Sequence, residues 1–293
     1  MPARAQRHSR LALGRAELLA RALDRTVLIT GANSGIGLAT AIELGRRGFR
    51  SVGSVRSAAK AKAVAAAAAQ AGVEVETVLL DVTDAAGSAR VIDGLRPWGL
   101  VNNAGYSATG AIEDVSDDEA RLLLETMVVA PMRLARLALP YMRAAGGGRI
   151  VNISSIYGRT TTPLTGWYQG AKHALEGLSD ALRIEVASAG VAVVLVEPGT
   201  FKTGIWDEAE RDMARRTGSR YAGAYRRSLA SMRFTQPLMG DPARVAAVIG
   251  RALTAWYPRA RYLVGTDAQL IALTGMVLPT AVRDRLTRLV LGL

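Results

Sequence analysis

Tyr168 and Lys172 carry side chains that could exchange a proton, and they lie four residues apart. Residues at this spacing stack one above the other on a helix face, so a helix here would bring phenol and ammonium together. A free phenol has a pKa of about 10, and a nearby positive charge favours its ionised form. The pair could therefore move a proton at neutral pH, with Tyr168 as general acid or base. Taken alone, the spacing also fits an exposed tyrosine beside a solvated lysine.

A glycine-rich turn near the start of the chain could hold an anion. The segment GANSGIG, residues 31–37, follows the apolar run Thr26–Thr30 and leads into a helical pattern. A helix N-terminus offers free amide donors and partial positive charge, and glycine lets the backbone approach a pyrophosphate closely. A simple tight turn is the alternative, but the order of strand, turn and helix favours phosphate binding.

These segments together resemble the signatures of the short-chain dehydrogenase/reductase family. TGANSGIG resembles the family's TGxxxGxG turn, NNAG at 102–105 its second signature, and Tyr168 with Lys172 its YxxxK pair. SSIYG at 154–158 and EPGTFKTG at 197–204 resemble further family segments, the latter in its steroid- and retinol-dehydrogenase-like branch. The resemblance extends from about Thr26 to Gly265. It implies an enzyme that moves a hydride between nicotinamide and a carbonyl or secondary alcohol carbon.

The resemblance also implies roles for individual catalytic residues. Tyr168 would be the general acid or base, and Lys172 would lower its pKa and bind the cofactor ribose. Ser155 would hydrogen-bond the substrate oxygen; Ser154 competes for this role, but the family pattern of serine, two residues and glycine selects Ser155. His173 adjoins the lysine but points about 100° away on a helix, so we predict a structural role for it.

The cofactor-binding residues implied by the resemblance follow the ends of predicted strands. They are Gly31, Asn33, Ser34, Gly35, Ile36, Gly37, Arg56, Asp81, Val82, Asn103, Ala104, Gly105, Tyr168, Lys172, Pro198, Gly199, Phe201 and Thr203. Within this set, Asp81 and Val82 would hold the adenine, and residues 103–105 would line the adenosine side. Asn103 could equally brace neighbouring strands. The amide of Phe201 and the hydroxyl of Thr203 would fix the carboxamide.

The end of the second predicted strand, Val55-Arg56-Ser57, bears on the choice of cofactor. A carboxylate there would hydrogen-bond an unmodified ribose and repel a 2′-phosphate. No acid is present, and Arg56 could make charge-assisted hydrogen bonds to a phosphate. Ser34 stands where some NADP enzymes of the family carry a second basic residue, so the preference depends on Arg56 alone. We expect NADP(H) to be preferred, with NAD(H) not excluded.

Met127 departs from the family pattern, which supplies an asparagine at this place. That asparagine would hold a water molecule that links the lysine to solvent, whereas a thioether donates no hydrogen bond and accepts one poorly. Either proton resupply takes another route, or turnover is slow or lost. The second possibility defines an alternative function, a catalytically weak dinucleotide-binding sensor or scaffold.

Strands and helices alternate along the chain. The predicted strands lack polar alternation, and amphipathic helices separate them, which indicates a parallel sheet covered on both faces. The fold class is therefore α/β, a single doubly wound Rossmann-type sheet with a helical insertion that covers the substrate. The predicted strands are Thr26–Thr30, Ser51–Val55, Val75–Leu80, Leu100–Asn103, Arg149–Ser154, Val191–Glu197 and Tyr262–Gly265. The predicted helices are Ala58–Ala71, Ala85–Leu95, one from the Ser116/Glu119 capping box to Arg143, Trp167–Ser188, and one that begins at Asp241-Pro242.

The sequence suggests a division of the chain into an arm, one domain that includes a lid, and a tail. Residues 1–25 form a basic arm, residues 26–265 the NADP-binding and catalytic domain, residues 200–240 within it a substrate lid, and residues 266–293 an amphipathic tail. The lid offers apolar candidates for covering a substrate: Trp206, Met213, Tyr221, Tyr225, Met232 and Phe234. We expect a medium or bulky hydrophobic carbonyl or alcohol as substrate. The tail could pack against another subunit, lie on a membrane surface, or cover the pocket.

Composition excludes several other classes of protein. The chain has no cysteine and two histidines, which excludes disulfides, thiolate nucleophiles and cysteine or histidine metal clusters. A net charge of +12 permits an anionic partner, but without a basic, aromatic-interleaved module we expect no nucleic acid. The sequence shows neither a secretory signal nor a bilayer-spanning run, so the protein is expected to be cytoplasmic, with peripheral membrane contact as the alternative. A homo-oligomer, dimer or tetramer, is also expected.

Overall fold

Seven parallel strands form one sheet in the computed structural model, which describes residues 25–277 and 279–293. The sheet order is β3-β2-β1-β4-β5-β6-β7. The strands are β1 (Thr26–Ile29), β2 (Arg50–Val55), β3 (Glu76–Leu79), β4 (Gly99–Asn102), β5 (Gly148–Ile153), β6 (Val191–Pro198) and β7 (Arg261–Val264). The predicted doubly wound α/β fold is confirmed. The predicted basic arm lies outside the described residues, except for Arg25.

The helices alternate with the strands. They are α1 (Gly35–Arg46), α2 (Ala58–Gln70), α3 (Ala85–Leu95), α4 (Asp117–Leu124), α5 (Ala130–Ala144), α6 (Gly166–Glu185), α7 (Ile205–Arg215), α8 (Ala222–Thr235), α9 (Pro242–Thr254), α10 (Thr266–Val277) and α11 (Thr280–Leu291). Among the described residues, none of these helices is long and apolar enough to cross a membrane.

The two faces of the sheet bury two separate apolar clusters, as strands without polar alternation predict. On one face, Val27 and Ile29 of β1 pack with residues of α1 and α9. On the other, Leu28 of the same strand and Leu100 of β4 pack with residues of α3 and α5. Every side chain of β1 and β4 is buried, so the centre of the sheet is shielded on both sides.

A polar link ties α6 to the middle of the sheet. Asn102 of β4 donates a hydrogen bond to the side-chain oxygen of Asn152 on β5 at 2.8 Å. The amide of Asn152 in turn donates to the hydroxyl of Ser179 on α6 at 2.8 Å. Because buried polar groups are costly unless they are paired, this chain of bonds fixes how α6 sits on β5.

The long helix predicted from Ser116 toward Arg143 is interrupted, which corrects the prediction. Its capping box is confirmed, since Ser116 and Glu119 each accept from the backbone amide of the other. A π-helical turn, Glu125–Val129, then separates α4 from α5. Pro131 has no N–H to donate to the carbonyl four residues earlier, and the wider turn accommodates this missing bond.

The buried leucines of the sheet centre should dominate stability. We expect Leu100→Ala to lower the free energy of unfolding by about 2–5 kcal/mol, because the residue is fully buried and truncation leaves a cavity. Leu79→Ala is the matched control at the sheet edge, where the side chain is 62% exposed, and should cost less than about 0.5 kcal/mol. Urea unfolding measures both values, and equal losses would contradict the described packing.

Candidate active site

A cavity of about 1070 Å³ opens where the strands end, beside the point at which the sheet order reverses between β1 and β4. In open α/β sheets this is where ligands bind. All the catalytic and cofactor-binding residues predicted from the sequence line this cavity, including Ser155, Tyr168 and Lys172. The structure therefore brings together side chains that are spread over more than 170 residues of sequence, from Gly31 to Thr203.

The glycine turn forms one wall of the cavity. Ser34 precedes α1 without capping it through its side chain, so the first amides of the helix stay available to a ligand. A Cβ on Gly37 would lie 2.3 Å from the carbonyl oxygen of Gly31, and one on Gly35 would lie 2.9 Å from Thr203 Cγ2. Gly35 also has φ +52, which favours glycine. Larger residues at these positions would close the turn.

Asn103 braces this turn as well as lining the cavity. Its side-chain amide donates to the carbonyl oxygen of Thr30 at 2.9 Å and to that of Gly31 at 3.2 Å. The hydroxyl of Thr30 accepts from the amides of Asn103 and Ala104, each at 2.9 Å. Thr30 was not among the predicted site residues, although it is the threonine of the TGxxxGxG segment.

Two basic side chains line the cavity beyond the end of β2. Arg56 is exposed there, and Lys60 lies in the first turn of α2. Across from them, hydrogen bonds from the amide and hydroxyl of Thr83, and then the charge of Arg56, lower the pKa of Asp81. Lys60 was not predicted from the sequence, because Arg56 precedes the N-cap Ser57 and the helix-face spacing rule does not link the two residues.

The three predicted catalytic side chains converge at the ends of β5 and α6. Lys172 Nζ donates to the carbonyl oxygen of Ile153 at 2.8 Å and lies 5.6 Å from the ring centroid of Tyr168. A hydrogen bond with Ser155 lowers the pKa of Tyr168, but this effect is smaller than that of burial. Ser155 and Lys172 are themselves only 7% and 6% exposed. The site is thus largely withdrawn from water.

Burial controls the pKa values of the proton-exchanging pair. Loss of solvent raises the pKa of Tyr168 to about 12 and lowers the pKa of Lys172 to about 8. The negative charge of Glu176 opposes the second shift. We expected Lys172 to lower the pKa of Tyr168. The pKa is raised instead, and the main cause is desolvation of the phenol.

Tyr157 adds an aromatic wall that was not predicted. Its ring meets that of Tyr168 edge-on with centroids 6.4 Å apart, and both rings line the cavity. Its backbone amide donates to the hydroxyl oxygen of Ser155 at 3.2 Å. Tyr157 therefore helps to hold both Ser155 and Tyr168 in place.

The loop after β6 is anchored from the far end of the chain. The amide of Thr200 donates to a carboxylate oxygen of Asp267, in the first turn of α10, at 2.6 Å. The ring of Phe201 is buried in the core, and its carbonyl accepts from the indole of Trp206 at 2.7 Å. The sequence offered no sign of the Asp267 contact, because its partners are 67 residues apart.

The helical insertion and the C-terminal helix complete the opposite wall. Trp206, Met213 and Met232 line the cavity as predicted. Tyr225 of α8 is buried with its hydroxyl bonded to Asp114, and Phe234 is 81% exposed, so neither of these lines the cavity. From α11, the cavity is lined by Leu286, Thr287, Val290 and Leu291. Among the roles considered for the tail, these positions correspond to covering the pocket.

Met127 and His173 occupy contrasting positions. Met127 lies in the π-helical turn, is 2% exposed, and lines the cavity beside Gly105. Its thioether stands where the family pattern supplies an amide. A ring nitrogen of His173 is 2.8 Å from the carbonyl oxygen of Gln169 one turn earlier, as suits a structural residue.

Comparisons with known proteins agree with the geometry. The model of the short chain dehydrogenase family matches residues 25–214. Retinol dehydrogenase 16 of Mus musculus is 32% identical over 286 residues, which cover 90% of this chain and 87% of the relative. A short-chain dehydrogenase from Streptomyces avermitilis has a similar crystal structure, with a TM-score of 0.72 and 32% identity, covering 90% of this chain and 95% of that one. A metagenomic short-chain oxidoreductase in complex with NADP gives a TM-score of 0.65 and 27% identity, covering 82% and 96%.

The buried amine should make stability depend on pH in the cofactor-free protein. The folded-state pKa of Lys172, about 8, lies below its ordinary value of 10.5. Between these pH values the unfolded chain binds more protons than the folded protein, so the free energy of unfolding rises with pH. We expect Lys172 to add up to about 1.4 kcal/mol per pH unit to the slope of the free energy of unfolding against pH. This part of the slope should be absent from Lys172→Met. Urea unfolding from pH 7 to about 10 measures the difference, and parallel curves would contradict the assigned burial.

Proposed function

The chain belongs to the short chain dehydrogenase family, and on that premise we propose that it is an NADP(H)-dependent oxidoreductase acting on a carbonyl or secondary alcohol carbon. The observation that carries the proposal is the convergence of Ser155, Tyr168 and Lys172 at the end of a cavity whose other end is the glycine turn. Such a cavity can place a dinucleotide and a substrate oxygen next to one proton donor.

The residues present fit a dinucleotide. The amides at the start of α1 and the close backbone approach at Gly35 and Gly37 suit a pyrophosphate. Asp81 and Val82 would flank the adenine, and Lys172 would bind the ribose near the nicotinamide. Phe201 and Thr203, on the loop after β6, would hold the carboxamide. When bound, the dinucleotide supplies or accepts the hydride.

The chain's own part in the reaction is to hold the substrate oxygen and move a proton. The hydroxyls of Ser155 and Tyr168 would both point at that oxygen and fix its position. In carbonyl reduction Tyr168 gives its proton to the oxygen, and in alcohol oxidation it takes one away. The phenol is protonated at neutral pH, but burial raises its pKa and so makes it a weaker acid in the cofactor-free protein. The charge of Lys172 stabilises the phenolate that donation leaves behind.

NADP(H) is favoured over NAD(H) by the charges around the end of β2. Arg56 and Lys60 both line the cavity there, and two cations can bind a 2′-phosphate through charge-assisted hydrogen bonds. The structurally similar metagenomic oxidoreductase is described in complex with NADP. From the sequence, the preference for NADP(H) depended on Arg56 alone, and Lys60 adds a second basic group.

The substrate is proposed to be a medium or bulky hydrophobic carbonyl or alcohol. The wall beyond Tyr168 includes the apolar side chains of Trp206, Met213, Met232 and Leu291, beside polar residues of the same helices. A relative named as a retinol dehydrogenase points the same way. We also propose a homo-oligomer, as is usual in this family.

Peripheral membrane contact is proposed through α11. This helix leaves Val282 and Leu289 exposed away from the cavity lining, and Arg285 and Arg288 are exposed nearby. An apolar stripe flanked by arginines suits the interface of an anionic bilayer.

The alternative function is a dinucleotide-binding sensor with weak or no catalysis. The buried thioether of Met127 is the observation that favours it, because this group cannot relay a proton. Loss of NADPH absorbance across a panel of aldehydes, ketones and keto-steroids separates the two functions. Tight NADPH binding without turnover of any carbonyl would support the sensor and contradict the proposed enzyme.

Removing the phenolic hydroxyl should abolish catalysis selectively. We expect Tyr168→Phe to lower kcat for carbonyl reduction by about 10²–10⁴-fold, because the proton donor is lost. NADPH binding, measured by fluorescence titration, should change by less than about threefold. Tyr141→Phe is the matched control, since its hydroxyl bonds Asp93 at the surface away from the cavity. Undiminished turnover by Tyr168→Phe would refute the assignment.

Removing the guanidinium at the end of β2 should alter cofactor preference. We expect Arg56→Ala to raise the Kd for NADPH by about 10- to 100-fold, because a charge-assisted hydrogen bond to the 2′-phosphate is lost. The Kd for NADH should stay the same. Arg46→Ala, in the exposed last turn of α1, is the control and should affect neither cofactor. Equal weakening of NADPH and NADH would rule out a contact with the 2′-phosphate.

A further inference from the structure

Every carbonyl reduced by the proposed mechanism removes one proton from Tyr168, and a proton from solvent must replace it. Lys172 is the cation next to the phenol; it is 6% exposed, and Tyr168 is partly buried. On the side of the π-helical turn, Met127 provides a thioether that donates no hydrogen bond. A working enzyme therefore needs a route from solvent to Lys172 that does not pass through Met127.

A small polar niche lies between β5, the loop that follows it and α6. A Cβ on Gly158 would lie 2.8 Å from the hydroxyl oxygen of Ser154 and 3.3 Å from Glu176 Oε1. These two oxygens therefore face the same space. Both residues are buried, at 3% and 8% exposure, and neither oxygen has a hydrogen-bond partner among the described residues.

Glu176 connects this niche to the catalytic lysine. It follows Lys172 by four residues on α6, so the two side chains are neighbours on one helix face. Its negative charge raises the pKa of Lys172. Lys172 in turn bonds the carbonyl of Ile153, directly before Ser154, so the ammonium and the niche share the same end of β5.

The other carboxylate oxygen of Glu176 is held in place from the sheet. Arg261 of β7 donates to Glu176 Oε2 at 3.0 Å and also contacts Asp180 at 2.5 Å and Glu197 at 3.3 Å. Arg159 pairs with Glu197 from the loop after β5. These contacts fix the carboxylate so that only Oε1 is left to face the niche.

Burying two unpaired acceptors costs free energy unless they are bonded, and a water molecule between them would satisfy both. We propose that Glu176 is the group through which Lys172 regains its proton, by way of a water molecule held between Ser154 and Glu176. The proposal rests on the oxidoreductase function given above. It names a relay residue for that reaction that does not involve Met127.

The proton balance of this route is simple. In reduction the substrate oxygen takes the proton of Tyr168, the phenolate takes one from Lys172, and the neutral amine takes one from the water molecule in the niche. Glu176 passes a proton from solvent to that water and ends the cycle as a carboxylate. One proton enters per carbonyl reduced, and no electron travels along this path.

Stopped-flow measurement of proton uptake tests the route. A pH-indicator dye in weak buffer reports protons leaving solvent, while NADPH absorbance reports hydride transfer. In the wild type the two signals should run together. In Glu176→Gln, uptake should lag behind hydride transfer by at least about tenfold, because an amide cannot take up and pass on a proton.

Two further variants separate relay from architecture. Gly158→Ala places a methyl group in the niche and should delay uptake in the same way as Glu176→Gln. Asp180→Asn removes another carboxylate partner of Arg261 without touching the niche, and should leave uptake in step with hydride transfer. A lag as large in Asp180→Asn as in Glu176→Gln, or no lag in Gly158→Ala, would overturn the proposal.

A second readout needs neither cofactor nor substrate. Because Glu176 raises the pKa of Lys172, the pKa of Lys172 should be lower in Glu176→Gln than in the wild type. The free energy of unfolding of the variant should therefore start to rise at a lower pH. An unchanged onset would overturn the coupling between the two residues. Wild-type protein that oxidises no NADPH with any carbonyl would instead overturn the proposed function. Synchronous signals in Glu176→Gln would overturn the relay alone.

Discussion

The burial of a charged amine at Lys172 constrains the whole active site. Taking an ammonium out of water is costly, and a carbonyl and a carboxylate offset the cost. The carbonyl belongs to Ile153 on β5, whereas Glu176 lies on the same helix as the amine. Helix and strand must therefore meet in one register, which the bond between Asn152 and Ser179 fixes. Tyr168, Ser155 and the glycine turn line the same cavity as this buried amine.

Most of the fold could be predicted because apolar residues mark both faces of each central strand. The predicted strand Thr26–Thr30 ends one residue later than the observed Thr26–Ile29, and other strand boundaries differ by similarly small amounts. The error lay in the long helix after Ser116. Pro131 continues the apolar periodicity, so the pattern gave no hint that its missing N–H opens a π-helical turn.

The site divides into what short motifs encode and what only the folded chain reveals. Motif residues such as Gly35 and Tyr168 face one cavity because their spacing is tied to local strand, turn and helix geometry. Lys60, Asp267 and Glu176 escaped notice because their roles come from partners brought close by folding. The pKa of the phenol was also misjudged, since spacing reveals a neighbouring charge but not how much water burial removes.

The cavity has two walls of different origin. The dinucleotide side is formed by loops at the ends of sheet strands, whereas the facing wall comes largely from α7, α8 and α11, which contribute no strand to the sheet. Changes in those peripheral helices can alter volume and polarity without disturbing the sheet. During evolution, such a chain could drift from one substrate to another while keeping its chemistry, and grafting these helices between relatives would be a practical way to redirect it.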